Sequence, residues 1–232
     1  MNASLRIDLN EHLYSRNPTD TELGRRLLTD SVHLIDEIGF EHFTFKKLAL
    51  RMGSSEATLY RYFDNKHQLL NYLVSWHWAW MRFQIDYVTR HSDNGKEKMR
   101  LVLGVLAGVN RSTPALAELD DAALARITTR EGSKSYLTHE VDADNKAGFF
   151  QEYKKLAKRI AVIIQEINPA YAYPLALVST VLETARKQLF FAEHLPSLTE
   201  ASESKNYSQK ICEFLEHVVF SSLDSSHSKT IR

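Results

Sequence analysis

An all-α fold is what this sequence predicts, and two features carry the prediction. Glycine (8 residues) and proline (5) are scarce in a chain of 232 residues. Apolar residues recur at spacings of three and four along most of its length, the period of a helix with one buried face. The 44% hydrophobic content supports a real core, and the length suits one large domain or two smaller ones. No internal repeat is evident.

The first helix starts near Thr19–Glu22, where Thr19 and Glu22 stand at capping-box spacing just after Pro18. Its apolar face, from Leu23 through Leu27, Val32 and Ile35 to Ile38, ends at Gly39, which suits the residue just past a helix. Thr44 caps a second helix, FKKLALRM, stopped by Gly53, and Ser55 caps a third, EATLYRYF. A fourth begins after Asp64-Asn65 and runs through LLNYLVSWHWAWMRFQIDYV. Two short helices joined by a tight glycine-containing turn form a helix-turn-helix unit. The first helix is long enough to cover their shared apolar side, formed by Phe43, Phe45, Leu48, Ala49, Met52, Leu59 and Phe63.

The remainder alternates helical segments with polar breaks. Asn94–Asn110 precedes Pro114, Ala115–Thr128 is short, and Glu131–Val141 is ambiguous. Asp144–Ile167 is long and stops at Asn168-Pro169. Tyr173–His194 carries Pro174 in its first turn, where a missing N–H costs little, and Ser204–Leu223 closes the series. The serine-rich end SSLDSSHSKTIR is expected to fray. The division this predicts is an arm over 1–18, a helix-turn-helix domain over 19–70, a second helical domain over 71–223 and a flexible tail over 224–232.

Charge is balanced globally and uneven locally. Lys+Arg and Asp+Glu both number 29, so net charge advertises no polyanionic partner. Between Thr44 and Lys66, however, Lys46, Lys47, Arg51, Arg61 and Lys66 face only Glu56 and Asp64. Such a confined basic patch is the footprint of a nucleic-acid contact. The single cysteine, Cys212, falls within the apolar series Ile211, Leu215, Val218 and Val219, which reads as a small buried hydrophobe. It fits a reducing compartment. No apolar run approaches membrane-spanning length, and the first residues show no signal-peptide pattern. A cytoplasmic protein is the expectation.

Enzymatic signatures are missing from the sequence. There is no HExxH, no CxxC, no glycine-rich phosphate loop and no nucleophile motif around a serine. His139-Glu140 with Asp142 and Asp144 reads as a solvated polar break rather than a metal site. No cofactor, metal or enzymatic activity is expected.

The run GFEHFTFKKLALRMGSSEATLYRYFDNKHQLL resembles the DNA-binding signature of TetR-type (TetR/AcrR) transcriptional regulators. The matching positions are Gly39, Thr44, Leu48-Ala49, Gly53, Ser55, Thr58-Leu59-Tyr60, Phe63 and Asn65-Lys66, and they cover about residues 20–72. Two departures stand out. Ser54 occupies a turn position that is usually apolar, and Ala57 replaces a frequent glycine or proline. The resemblance implies an N-terminal three-helix DNA-binding domain followed by a helical C-terminal domain for ligand binding and dimerisation. It implies a homodimeric repressor of palindromic double-stranded operators, released by a small-molecule effector. Control by a protein partner, or constitutive action, is the alternative.

The resemblance also implies residue roles. Thr44, Thr58, Tyr60 and Lys66 match positions that hold phosphates, with Ser55 at the cap between them. Lys46, Glu56, Ala57, Arg61 and Tyr62 match positions facing base edges or the groove wall. Asp64 is expected to cap the fourth helix. Arg6 and Arg16 lie on the preceding arm, expected to be a mobile surface segment with DNA contact as the alternative.

For dimerisation, Leu175, Val178, Leu182, Ala185, Leu189 and Ala192 recur at alternating spacings of three and four, and Ile211, Leu215, Val218 and Val219 add a second stripe. Spacing alone leaves open whether these face a partner subunit or the chain's own core; the resemblance favours a four-helix dimer interface. On the fourth helix Trp76, Trp80, Phe83 and Tyr87 share one stripe and Trp78, Met81 and Ile85 another. Such a helix sits between layers, as core or as the wall of an effector pocket.

Overall fold

The computed structural model describes residues 7–110 and 119–224, which form ten α-helices and several short 3-10 turns, with no strand among the described residues. The helices are α1 (Glu22–Ile38), α2 (Phe45–Met52), α3 (Glu56–Tyr60), α4 (Lys66–Thr89), α5 (Gly95–Leu106), α6 (Asp121–Glu131), α7 (Val141–Lys146), α8 (Gln151–Ile167), α9 (Pro174–His194) and α10 (Tyr207–Asp224). No helix among the described residues is long and apolar enough to cross a membrane. Arg6, Pro114 and the expected tail from residue 225 lie outside the described residues.

Contacts gather the chain into two compact units. One holds the described residues up to 80 together with 119–153; the other holds 81–110 and 154–224. The division differs from the sequence-based one because α6 and α7 pack with the helix-turn-helix, not with the later helices. Arg126 grips Asp36 of α1 with Nε and Nη2, the latter at 2.6 Å from Oδ2, and Arg130 adds a longer contact at 3.5 Å. Glu131 Oε1 accepts the Phe40 N–H at 3.3 Å. Lys134 bridges Glu131 and Glu41; these bonds hold the Lys134 ammonium above its usual range and the Glu41 carboxyl below its own.

The core of the first unit is the one expected. Phe43, Phe45, Leu48, Ala49, Met52, Leu59 and Phe63 are all buried, against Leu27, Leu28, Val32 and Ile35 of α1. Phe43 meets Phe45, and Phe63 meets Tyr72, edge to face. On α4 every residue from 71 to 80 is buried, and Trp76 stacks on Trp80 at 5.9 Å.

Several boundaries differ from expectation. Thr21, not Thr19, caps α1, accepting the Gly24 N–H at 3.0 Å; Pro18 opens a separate 3-10 turn that buries Thr19. Asn65, not Asp64, caps α4, its Oδ1 accepting the Gln68 N–H at 2.9 Å. The expected single helix over 144–167 is two, α7 and α8, because the chain turns through Gly148 at φ 83°.

In the second unit α10 packs on α9, and α5 lies against α10. Here the dimer stripe needs correction. Val178, Leu182, Ala185, Ile211 and Leu215 are buried inside the single chain, and Leu189 and Val218 are half-buried. Of the residues assigned to a partner subunit only Leu175 is exposed, at 52%. A helix hairpin must cover its own apolar seam first, and the stripe serves that purpose. Cys212 is buried as expected, and desolvation beside Glu216 pushes its thiol up to about 11, so it stays protonated and inert at neutral pH.

Candidate nucleic-acid interface

The reading surface is built from caps. Thr44 Oγ1 accepts the Lys47 N–H at 3.2 Å and starts α2. Gly53 ends it in the left-handed conformation, φ 60°, while Ser54 N–H returns to Ala49 C=O at 2.9 Å. Ser55 Oγ then accepts the Thr58 N–H at 3.3 Å and starts α3, one residue after the turn closes. The Ser54 departure therefore costs the motif nothing, since the backbone of Ser54 makes the turn.

Anchored by buried Leu59, α3 presents its other side to solvent. Ser55, Glu56, Ala57, Tyr60 and Arg61 are exposed and Thr58 is half-exposed. Tyr60 is held edge-on against Phe45 with ring centroids 5.0 Å apart, so its hydroxyl is presented by a fixed ring. From α2 the exposed Thr44 and Lys46 join the same set.

Two expected contacts go elsewhere. Tyr62 is only 2% exposed, and its hydroxyl shares a hydrogen bond of 2.8 Å with Thr21 Oγ1. The chain leaves α3 after Tyr60, so residue 62 turns inward onto the N-terminus of α1 instead of continuing the exposed helix face. Lys66 is half-buried, and its ammonium donates to the carbonyls of Phe40, Phe43 and Glu41 at 3.1, 3.4 and 3.5 Å. The ammonium is thus turned toward the protein, where three backbone carbonyls compete with a phosphate for its protons.

The basic patch thins in the same way. Lys47 Nζ donates to His42 C=O at 2.8 Å and Arg51 pairs with Glu37 at 2.7 Å. Of the five bases only Lys46 and Arg61 make no ion pair or hydrogen bond among the described residues. An unpaired cation keeps its full attraction for a polyanion, so these two are the free positive charges of the patch. Arg61 has the donor fork for a guanine edge, and Lys46 for a phosphate or a guanine.

Glu56 has no bonded partner among the described residues either; it lies in the first turn of α3 while Ser55 does the capping. Its contribution to the helix is limited to the terminal field, on the order of 0.3–1 kcal/mol. Glu56→Ala is therefore expected to shift stability by less than about 1 kcal/mol. It should also relax preference at one base pair, where a carboxylate accepts from a cytosine amino group, by about 1–3 kcal/mol. Thermal melting and binding to single-base variants of the site read the two effects apart.

Residues 27–73 match the model of bacterial regulatory proteins of the tetR family. The nucleoid occlusion factor SlmA of Mannheimia succiniciproducens is 29% identical over 99 residues, which is 42% of this chain and 46% of that protein. The uncharacterized HTH-type transcriptional regulator YvaF of Bacillus subtilis is 34% identical over 82 residues, 35% of this chain and 43% of that one. The chain thus matches less than half the length of these relatives. Among solved structures, the fatty acid degradation regulator FadR from Bacillus halodurans superposes with a TM-score of 0.59 at 14% identity, covering 94% of this chain and 98% of that one. AibR in complex with isovaleryl coenzyme A and operator DNA gives 0.58 at 15%, covering 84% and 98%. Identities this low are likeness of fold. The capped helix-turn-helix agrees with the matched model: residues 27–73 carry the domain of bacterial regulatory proteins of the tetR family.

Proposed function

We propose that this transcriptional regulator binds palindromic operators in the cytoplasm as a homodimeric repressor, released by a small-molecule effector. The observation that carries the reading is the exposed set Thr44, Lys46, Glu56, Ala57, Tyr60 and Arg61 on a capped helix-turn-helix whose core residues Phe45, Leu48, Ala49, Met52 and Leu59 are buried. One such head reaches a single half-site, and a two-fold partner supplies the second about 34–36 Å away. The face of α9 opposite its buried stripe suits that partner. It exposes the small residues Ala176, Ser179 and Thr180, with Leu175 exposed at the edge of the stripe itself, and α10 exposes Phe214 at 44%. Small side chains let two helices approach closely, with the two apolar groups as anchors.

Selection of bound sequences from random DNA at two salt concentrations tests the reading, with sedimentation giving the mass of the complex. A palindromic motif, a steep salt dependence and two protomers per duplex are expected. Sequence-independent binding, or a monomer on a half-site, sinks it. Acyl-coenzyme A thioesters are the first effector class to titrate, because the fold neighbour AibR was solved with one of them and operator DNA.

A further inference from the structure

The arm ahead of α1 is closed onto the reading head. Leu13 is 1% exposed, and Tyr14 meets Tyr72 edge-on at 6.1 Å. The Ser15 N–H donates to Tyr62 C=O at 2.8 Å, and the Ser15 hydroxyl donates to Asp64 Oδ1 at 2.6 Å. Gln68 Nε2 donates to His12 C=O at 3.3 Å, and Asn10 Nδ2 donates to Ala147 C=O at 2.7 Å. These four bonds tie the arm to the head and to the turn after α7. With a buried leucine between them, they fix one path for the chain. Residues 10–18 of the arm are thus tied down along a path that runs from the turn after α7 to the end of α3.

This path fixes where Arg16 stands. It follows the pinned Ser15 directly, and its guanidinium lies 5.6 Å from the centroid of the Tyr62 ring. The side chain is exposed and makes no ion pair among the described residues. Arg16 thus joins Lys46 and Arg61 as a cation of the same head without a counter-ion. Its neighbours cannot help it read a base edge, because Ser15 is bonded to Asp64 and the Asn17 side chain to Thr19. A lone guanidinium on a tethered segment has the make-up of a backbone contact.

We infer that the arm is a third DNA-binding element of the head and that Arg16 holds a phosphate flanking the end of the recognition helix α3. The inference rests on the DNA binding proposed above. Its test is titration of wild type, Arg16→Ala and Arg16→Lys with the selected operator and a scrambled duplex over a series of salt concentrations. Arg16→Ala is expected to weaken binding to both duplexes by the same factor. It should also lower the slope of log affinity against log salt by about 0.9, with Arg16→Lys keeping the wild-type slope. An unchanged slope in Arg16→Ala overturns the inference, and so does a loss confined to the operator, which marks a base contact. If the wild type binds neither duplex, it is the proposed function that fails.

Discussion

Lys66→Ala is expected to destabilise the protein by about 2 kcal/mol, and any loss of DNA binding should follow from that unfolding. The ammonium ties the first turn of α4 to the turn between α1 and α2 through the Phe40, Phe43 and Glu41 carbonyls. It also lies 4.6 Å from the centroid of the Phe40 ring, whose face attracts a cation. Hydrogen bonds from charged donors contribute about 1.5–3 kcal/mol each. Two of the three bonds are long and the site is half-buried, which reduces the total to about that of one such bond. Lys66→Met keeps most of the stem and removes only the charge, so it separates bonding from packing. Urea unfolding of both variants measures the effect. A phosphate role predicts the opposite pattern, an unchanged unfolding midpoint and a salt slope lower by about 0.9.

The contrast between Lys66 and Arg16 shows what the sequence could and could not reveal. The helix-turn-helix was legible because its determinants are local. Thr44, Gly53 and Ser55 each act on backbone within a few residues, and the core of Phe43, Phe45, Leu48, Leu59 and Phe63 closes at helical spacing. Partners far along the chain were not legible. Lys66 looks like a phosphate ligand until the carbonyls 23–26 residues earlier are placed around it. Tyr62 looks like a groove residue until Thr21, 41 residues away, shares a hydrogen bond with its hydroxyl. The stripe on α9 was seen correctly as apolar, but a period names a buried face and not what buries it. The α6 ties to α1, led by Arg126 and Asp36, have no signature at all, since surface ion pairs leave no periodic mark.

Gly24→Ala is expected to be the more damaging of the two substitutions to the arm, although an isolated helix would gain from it. Alanine favours a helix interior by about 1 kcal/mol over glycine. At this position, however, a Cβ would stand 2.2 Å from the Pro18 carbonyl oxygen and 2.7 Å from its Cα. These are backbone atoms, which have no rotamer to escape into, so either α1 shifts or the turn at Pro18 lifts away. Overpacking of this kind costs about 1–3 kcal/mol, and more when backbone must move. The displacement also reaches bonds that depend on the same turn. Arg25 Nη1 donates to Thr19 C=O at 2.6 Å, and Thr21 both caps α1 and bonds Tyr62. A net loss of about 2 kcal/mol or more is expected from thermal melting, with faster hydrogen exchange at the Ser15 amide. If the arm presents Arg16 to DNA, the same variant should reproduce the lower salt slope of Arg16→Ala while keeping every charge. Wild-type melting and wild-type protection of Ser15 in Gly24→Ala would show that the arm does not press on α1, and a lifted arm with an unchanged slope would separate its packing from any role on DNA.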